Sequence, residues 1–532
     1  MGIMTALFAF AAAAVISGWA WLGAPVRMPP SPLSAGEKVH CVSYAPFRDG
    51  QEPFGPDIPV DPRQIDDDLA QLKAITDCVR TYSVDHGLDR IAEIAARHGM
   101  KVIQGLWLSS FPERNRSQIE TAVELARRFP DVIAAVVVGN EVLLRGEMSA
   151  RDLARTIAEV KSRVSVPVTY ADVWELWLRY REISAEVDFI TIHILPYWED
   201  FPIASRDAAS HVDAIRKRMV AAFPGREIFV GEFGWPSAGR MREGALPSPA
   251  DQARAMHETL ALAKRESYRV SLIEAYDQPW KRQLEGTVGG HWGLFDGYRR
   301  TAKFAWGAAV SNHPHWRWQA AGGVGLAAAI FAAAFLTSRR TAVANHAGLW
   351  LRVAAIAIVS GGLIGWTIEN VPLESLGFAG WLRSLAWASV GLLSPILTAT
   401  LLGSGKRLPT FAQTLGRANA SPLQRLELAL GVLLIVLALL ALPAALGLVF
   451  DPRYRDFPFA PLTGAAIPLL FLAKWKLRTK APAAERVMAA ALVLSAIYIV
   501  VNEGFANWQA CWFGAALSAL AVTVLRAQAA PS

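Results

Sequence analysis

Apolar and polar positions divide this chain into two stretches with different periods. Between residues 26 and 318, short apolar runs rich in β-branched residues alternate with segments whose apolar positions recur at helical spacing. Beyond residue 319 the pattern changes to long, nearly charge-free runs joined by short polar loops.

The first stretch holds eight strand-like runs: Val39–Phe47, Cys78–Ser83, Val102–Leu108, Val132–Glu141, Val166–Val173, Val187–Leu195, Ile228–Trp235 and Val270–Tyr276. Helical patterns intervene at Ile65–Ile75, Leu88–His98, Gln118–Phe129, Ala150–Val164 and Asp251–Arg265. Eight such repeats in this length predict an α/β fold, a (β/α)8 TIM barrel. A doubly wound sheet is the alternative, but no Gly-rich phosphate turn follows the first run.

The second stretch predicts seven membrane spans, at 319–337, 348–368, 379–402, 427–450, 458–473, 487–502 and 508–525. The 458–473 run is the short one and contains proline. A further apolar segment, Ile3–Gly23, lacks a basic start and a small-residue cleavage site, so it reads as an uncleaved anchor rather than a signal peptide. The expected organisation is an N-terminal transmembrane anchor over 1–25, a barrel over 26–318 and a C-terminal multi-span α-helical membrane domain over 319–532.

Basic residues gather in alternate loops. Arg339 and Arg340 come first, then Lys406, Arg407, Arg417 and Arg425, then Lys474, Lys476, Arg478, Lys480 and Arg486. Loops 369–378 and 503–507 carry no Lys or Arg. Arg383, Arg453 and Arg455 run against the trend without reversing it. The positive-inside rule then puts the basic loops in the cytoplasm. The barrel is expected on the outer, periplasmic face of the inner cell membrane, with both termini inside and Trp316 and Trp318 at the outer interface. Glu369 and Glu503 fall at span ends and read as solvated loop residues. No row of intramembrane charges marks an ion pathway.

Composition adds little to this picture. Hydrophobic residues make up 53% of the 532, in keeping with a membrane part. The net charge of +7 lies largely in the short loops, so it speaks for topology and not for nucleic acid. Three cysteines, Cys41, Cys78 and Cys511, give neither a disulfide framework nor a metal-ligand spacing. No metal or cofactor is expected. Cys41 and Cys78 fall in neighbouring strands and read as two buried thiols, with a bridge as the alternative in an oxidising compartment.

Two of the strand-like runs end in a lone glutamate. Ala134-Ala-Val-Val-Val-Gly-Asn-Glu141 is one, and Ile228-Phe-Val-Gly-Glu-Phe-Gly-Trp-Pro-Ser237, with Glu232, is the other. A buried carboxylate is costly unless it has a partner or a chemical role. Two at the C-terminal ends of barrel strands, where barrel chemistry gathers, are what a retaining glycosidase needs. The other strand ends offer Tyr44, Tyr82, Asp85, Asn140, Tyr170, Asp172, His193, Tyr197, Glu274, Asp277 and Lys281. Trp107, Trp198, Trp235, Trp280 and Trp292 supply flat faces for pyranose rings, with Trp235 and Trp280 placed closest to the site.

These motifs resemble glycoside hydrolase family 17, within the large clan of (β/α)8 retaining glycosidases. Gly139-Asn-Glu141 is similar to that clan's fourth-strand motif, which implies Glu141 as acid/base. Gly231-Glu-Phe-Gly-Trp-Pro-Ser237 resembles the family's seventh-strand motif, which implies Glu232 as nucleophile. Ile273-Glu-Ala-Tyr-Asp-Gln-Pro-Trp-Lys281 is similar to an eighth-strand motif, and His291-Trp-Gly-Leu-Phe295 follows it. Gln278 departs from the glutamate usual at its position, which bears on the family's subsite contacts. The resemblance spans about residues 39–310 and implies action on β-1,3-glucan. The added membrane spans resemble rhizobial proteins implicated in making β-(1,3),(1,6)-glucans.

The resulting expectation is a double displacement. Glu232 attacks the anomeric carbon and Glu141 serves as acid, then base. Asn140 would hydrogen-bond the sugar 2-hydroxyl, and Tyr197 or His193 would orient the nucleophile. Glu274 and Lys281 would pair near the acid/base. Tyr44, Tyr82, Asp85, Tyr170, Trp235 and Trp280 complete the expected substrate contacts. Partners are a β-glucan, the lipid bilayer, and a glucan synthase or export component. Water as acceptor gives hydrolysis and a sugar hydroxyl gives transglycosylation; tethering at the membrane favours the second. Two other classes remain. One is a non-catalytic glucan-binding component of an export system. The other is a nucleotide-sugar synthase, for which no acidic metal cluster is present.

Overall fold

The computed structural model describes residues 2–55, 58–341, 347–404, 408–416, 423–472 and 481–527. The chain forms two compact units. One is Val26–Ala238 with Gly244–Val310; the other is Met1–Pro25, Gly239–Glu243 and Ser311–Ser532.

The first unit is a closed parallel barrel in sequence order, which excludes the doubly wound alternative. Its strands are β1 (Cys41–Ser43), β2 (Cys78–Arg80), β3 (Lys101–Leu106), β4 (Ile133–Asn140), β5 (Val168–Val173), β6 (Ile190–His193), β7 (Ile228–Phe233) and β8 (Val270–Leu272). Each is shorter than the apolar run that carries it, because those runs continue into buried loops at the barrel mouth. Phe47, Thr81 and Tyr276 are buried without being in strands. A small inner core of Cys41, Cys78, Ile103, Ala135, Val137, Ala171, Phe189 and Phe229 fills the barrel. Alternate strand residues face outward and pack on the helices, as the twofold strand period requires.

Helix starts follow from local chemistry. Asp61 accepts from the Arg63 N–H ahead of helix Pro62–Leu72, and Ser149 and Ser248 accept from the N–H groups of Asp152 and Asp251. Helix Pro112–Arg128 begins six residues before the apolar pattern does, on Pro112. Its first turn is polar and therefore silent in a hydrophobicity reading.

In the second unit, seven helices among the described residues are long and apolar enough to cross a membrane. They are Gly2–Leu22, Trp316–Arg340, Ala347–Glu374, Gly377–Ser404, Arg425–Phe450, Ala483–Glu503 and Trp508–Arg526. The expected span at 458–473 is instead a 12-residue helix, Phe459–Leu470, only ~18 Å long and shorter than a bilayer core. Pro468 removes the N–H that would bond the Gly464 carbonyl. The Ser360 hydroxyl donates to that carbonyl at 3.0 Å, and Ser394 donates to the Ala465 carbonyl at 2.6 Å. Neighbouring helices thus satisfy a backbone that apolar surroundings would otherwise leave unpaired.

Helices Trp316–Arg340 and Ala347–Glu374 meet backbone to backbone. A Cβ on Gly323 would stand 2.1 Å from the Gly361 carbonyl oxygen, so only glycine fits there. Glu369 and Glu503 are not solvated as expected. Glu369 pairs with His313 at 2.7 Å. Glu503 is buried and pairs with Arg240 at 2.5 Å. Lys406, Arg407, Arg417, Lys474, Lys476, Arg478 and Lys480, which carry much of the orientation argument, lie outside the described residues.

Cys41 and Cys78 form a disulfide, which corrects the reading of two buried thiols. Strand pairing brings them together. β1 and β2 are parallel neighbours with Val42 opposite Val79, so Cys41 and Cys78 both point into the barrel with Cα atoms 4.5 Å apart. The apolar pattern reports that both are buried but not that they face each other. The bridge closes a 37-residue separation, and restricting the unfolded chain over such a loop stabilises a protein by about 3–4 kcal/mol. Replacing both cysteines by alanine should lower the denaturant midpoint of the barrel accordingly. An unchanged midpoint by tryptophan fluorescence would contradict this role.

Candidate active site

The two glutamates that end apolar runs meet at the barrel mouth. β7 carries Glu232, which is 4% exposed. Near the end of β4, Gly139 has a φ of +92°, where glycine alone is at ease, and the chain turns there so that Asn140 and Glu141 face inward. Glu141 itself has φ of +51° and is held by its N–H donating to the Ala171 carbonyl at 2.8 Å. Such strain in a non-glycine residue tends to collect at functional sites. One carboxylate oxygen of Glu141, one ring nitrogen of His193 and one carboxylate oxygen of Glu232 all lie within 4.8 Å of one another.

A residue that the pattern did not single out organises this cluster. Arg80, on β2, is 1% exposed. Its NH1 donates to Glu232 Oε1 at 2.5 Å, and its NH2 donates to Asn140 Oδ1 at 2.6 Å and lies 3.2 Å from His193 Nε2. Tyr82 donates its hydroxyl to the same Glu232 oxygen at 2.9 Å. His193 Nδ1 lies 2.8 Å from Glu141 Oε1. The signal in the sequence was a lone arginine inside the apolar run Cys78-Val-Arg-Thr-Tyr-Ser83. A second unforeseen arginine, Arg145, donates to the Asn140 and Leu108 carbonyls at 3.0 and 2.7 Å and lies over the Trp107 ring. It braces the turn that presents Glu141.

Electrostatics separate the carboxylates. Burial opposes ionisation of Glu232, but the adjacent charge of Arg80, with the hydrogen bonds from Arg80 and Tyr82, outweighs it. Glu232 is held below the usual carboxylate range and is an anion at neutral pH. Glu274 is raised by burial to about 7 despite Lys281, whose ammonium reaches both its oxygens at 2.9 and 3.0 Å. The pair forms as expected, but the site acid whose charge acts on Lys281 is the expected nucleophile Glu232 rather than the acid/base Glu141. Burial raises Asp172 to about 6, against hydrogen bonds from the Tyr170 hydroxyl and the Val173 N–H.

The structure places several expected contact residues behind the site. Tyr44 is fully buried, with its hydroxyl donating to Asp68 at 3.0 Å on the helix side of β1. Tyr170 also faces outward, where its hydroxyl accepts from the Leu143 N–H and pairs with Asp172. Tyr197 and Trp235 are fully buried and pack on each other, and Tyr197 also packs on Trp292; the Trp235 indole donates to the Leu246 carbonyl. Alternation along a strand had given the strand end but not the facing direction. Asp85 is paired with Arg114 at 2.9 Å on the loop after β2, and Asp277 is buried against Lys303. Of the tryptophans, Trp107, Trp198 and Trp280 are only half-buried. Trp107 and Trp280 both contact Phe54, and Trp198 stacks on Trp292.

Gln278 has a structural explanation. Its amide donates to the Ala45 carbonyl at 2.9 Å and accepts from the Trp280 indole at 2.8 Å. A carboxylate there would still accept from Trp280 but would lose the bond to the Ala45 carbonyl, which is what the glutamine adds. Glu141, His193 and Glu232 are also a possible trio of metal ligands by distance. The Arg80 guanidinium already occupies the donor position beside Glu232 and His193, and a cation there would meet its charge. The donor set suits a site that binds neutral hydroxyls next to developing positive charge.

Residues 41–293 match the family model described as the BtgE/BtgC glycoside hydrolase domain. A probable beta-glucosidase btgE from Neosartorya fischeri is 28% identical over 225 residues, covering 41% of this chain and 40% of that protein. The chain thus spans well under two thirds of that relative. A glucan 1,3-beta-glucosidase from Arthroderma benhamiae is 26% identical over 260 residues, covering 45% of this chain and 83% of that one. A solved glycoside hydrolase family 17 beta-1,3-glucanosyltransferase from Rhizomucor miehei overlaps at 23% identity with a TM-score of 0.44, covering 49% of this chain and 95% of that one.

Two stability predictions follow from the charges. Arg80→Met leaves the buried Glu232 carboxylate without its cation and should cost about 3–5 kcal/mol by denaturant titration; a loss under ~1 kcal/mol would contradict the placement of this pair. Asp172 binds its proton more tightly folded than unfolded, so it makes stability fall as pH rises from about 4 to about 6. Asp172→Asn should flatten that part of the stability profile by up to roughly 3 kcal/mol. An unaltered profile would show that Asp172 is not held neutral by burial.

Proposed function

We propose that this protein, whose barrel matches the BtgE/BtgC glycoside hydrolase family model over residues 41–293, is a retaining β-1,3-glucan transglycosylase or hydrolase held at a membrane. The observation that carries the reading is the approach of Glu141 and Glu232 to within 4.8 Å. That spacing suits direct attack by one carboxylate; an inverting enzyme keeps its pair about 6.5–9.5 Å apart to admit a water. The curated relatives named for beta-glucosidase activity support β-glucan as the substrate class.

In the first step, Glu232 Oε2 bonds to the anomeric carbon as the glycosidic C–O bond breaks. Glu141 gives its proton to the departing oxygen. In the second, Glu141 takes a proton from water or a sugar hydroxyl whose oxygen attacks the same carbon, and the C–Oε2 electrons return to Glu232. Asn140 Oδ1 is engaged by Arg80, which leaves its amide N–H to reach the substrate 2-hydroxyl. Trp280, Trp107 and Trp198 offer partly open faces for further sugar units. The basic loops between the apolar helices favour a barrel on the outer face of the membrane. A polymer emerging there from a synthase or exporter would be the donor, and its own hydroxyls the acceptors, which favours transglycosylation.

Purified full-length protein incubated with β-1,3-gluco-oligosaccharides should yield products longer than the substrate, with β configuration kept at the new bond by NMR. Glu232→Gln should lower turnover by at least about 10³-fold. Unchanged processing by that variant would leave only a glucan-binding role.

A further inference from the structure

We propose that Arg80 and His193 are positioning residues that decide which oxygen of Glu141 carries the transferable proton. The proposal rests on the retaining reading above and adds to it a specific hydrogen-bond order.

A guanidinium has donors and no acceptor. His193 Nε2 lies 3.5 Å from Glu232 Oε1 but closer, 3.2 Å, to Arg80 NH2; a proton on Nε2 would face that guanidinium N–H, so the nitrogen presents its lone pair. The one proton of a neutral imidazole is then on Nδ1, 2.8 Å from Glu141 Oε1. Oε1 is therefore an acceptor, and the acid proton sits on Oε2. The same division holds across the site. Glu232 Oε1 is held by Arg80 and Tyr82. Among the described residues, no protein group bonds the Oε2 atom of either glutamate. The two unengaged oxygens are the pair left for chemistry, one to deliver a proton and one to attack.

Arg80 cannot turn to relax this order. One arm of its fork is fixed by Glu232 and the Gly231 carbonyl, the other by Asn140. The nucleophile therefore sets, through Arg80, the tautomer of the imidazole that grips the acid/base. Ester formation at Glu232 removes the negative charge facing Arg80. Its NH2 then polarises His193 more strongly, and the Nδ1–H becomes a better donor to Glu141 at the stage where Glu141 is a carboxylate.

The tautomer is read without turnover. The chain has 10 histidines, so ¹⁵N-histidine spectra of the full-length protein in detergent, assigned with His193→Gln, are tractable. Wild type should show a protonated Nδ1 and a bare Nε2 at His193. Arg80→Lys, which keeps the charge but loses the second arm, should shift the proton toward Nε2. A wild-type Nε2–H tautomer would overturn the proposal. Kinetically, His193→Ala should lose about 10²-fold on glycosides with poor leaving groups but under ~10-fold on dinitrophenyl glycosides, which need no acid. His193→Gln, whose amide can accept from Arg80 and donate to Glu141, should recover most of the difference. Equal losses on both substrate classes would mean a merely structural histidine and would also overturn the proposal. Failure of wild type to turn over either substrate would instead overturn the enzymatic reading, and this proposal with it.

Discussion

The guanidinium of Arg80 is the constraint on which the site depends. A buried arginine is tolerated only where its charge and most of its donors are matched, and here three other strands supply partners for both terminal nitrogens, while Nε has none among the described residues. β2 carries it, β7 gives it a carboxylate and a carbonyl, β4 an amide oxygen and β6 a ring nitrogen. Removing any one partner leaves a buried polar atom without compensation. The two glutamates are thus not independent side chains that happen to converge. One planar group fixes Glu232 directly and Glu141 through His193.

This explains how a low-dielectric barrel mouth keeps one acid ionised while its neighbours are not so held. Glu232 has a cation and a hydroxyl at hydrogen-bond distance, which overcome the cost of burial. Asp172 and Glu274 are also buried, but a hydroxyl or a single lysine does not offset their desolvation. The barrel floor contributes differently. The Cys41–Cys78 bridge joins the strand that precedes Arg80 in the barrel order to the strand that bears it.

Much of this was legible in the sequence because it rests on short-range patterns. Eight apolar runs gave eight strands, and the glutamates that interrupt two of them gave the centre of the site. Facing direction was not legible. Tyr44 and Tyr170 end strands as Tyr82 does, yet they point toward helices while Tyr82 reaches Glu232. Gln278 looked like a lost sugar contact and is a buried side chain whose amide bonds the Ala45 carbonyl. Arg80 was hidden because a single charge in an apolar run has no period; only the closure of the barrel shows what it meets. In the second unit, a 16-residue apolar run was long enough to suggest a span, but Pro468 and its serine partners make a shorter buried helix of it.

The central claim is that Glu232 forms a covalent bond to sugar. Full-length protein treated with a 2-deoxy-2-fluoro β-glucosyl or laminaribiosyl fluoride, then digested and analysed by mass spectrometry, tests it most directly. The account predicts a single glycosylated peptide with the adduct on Glu232. Turnover of natural substrate with no adduct, or an adduct on another residue, would contradict it.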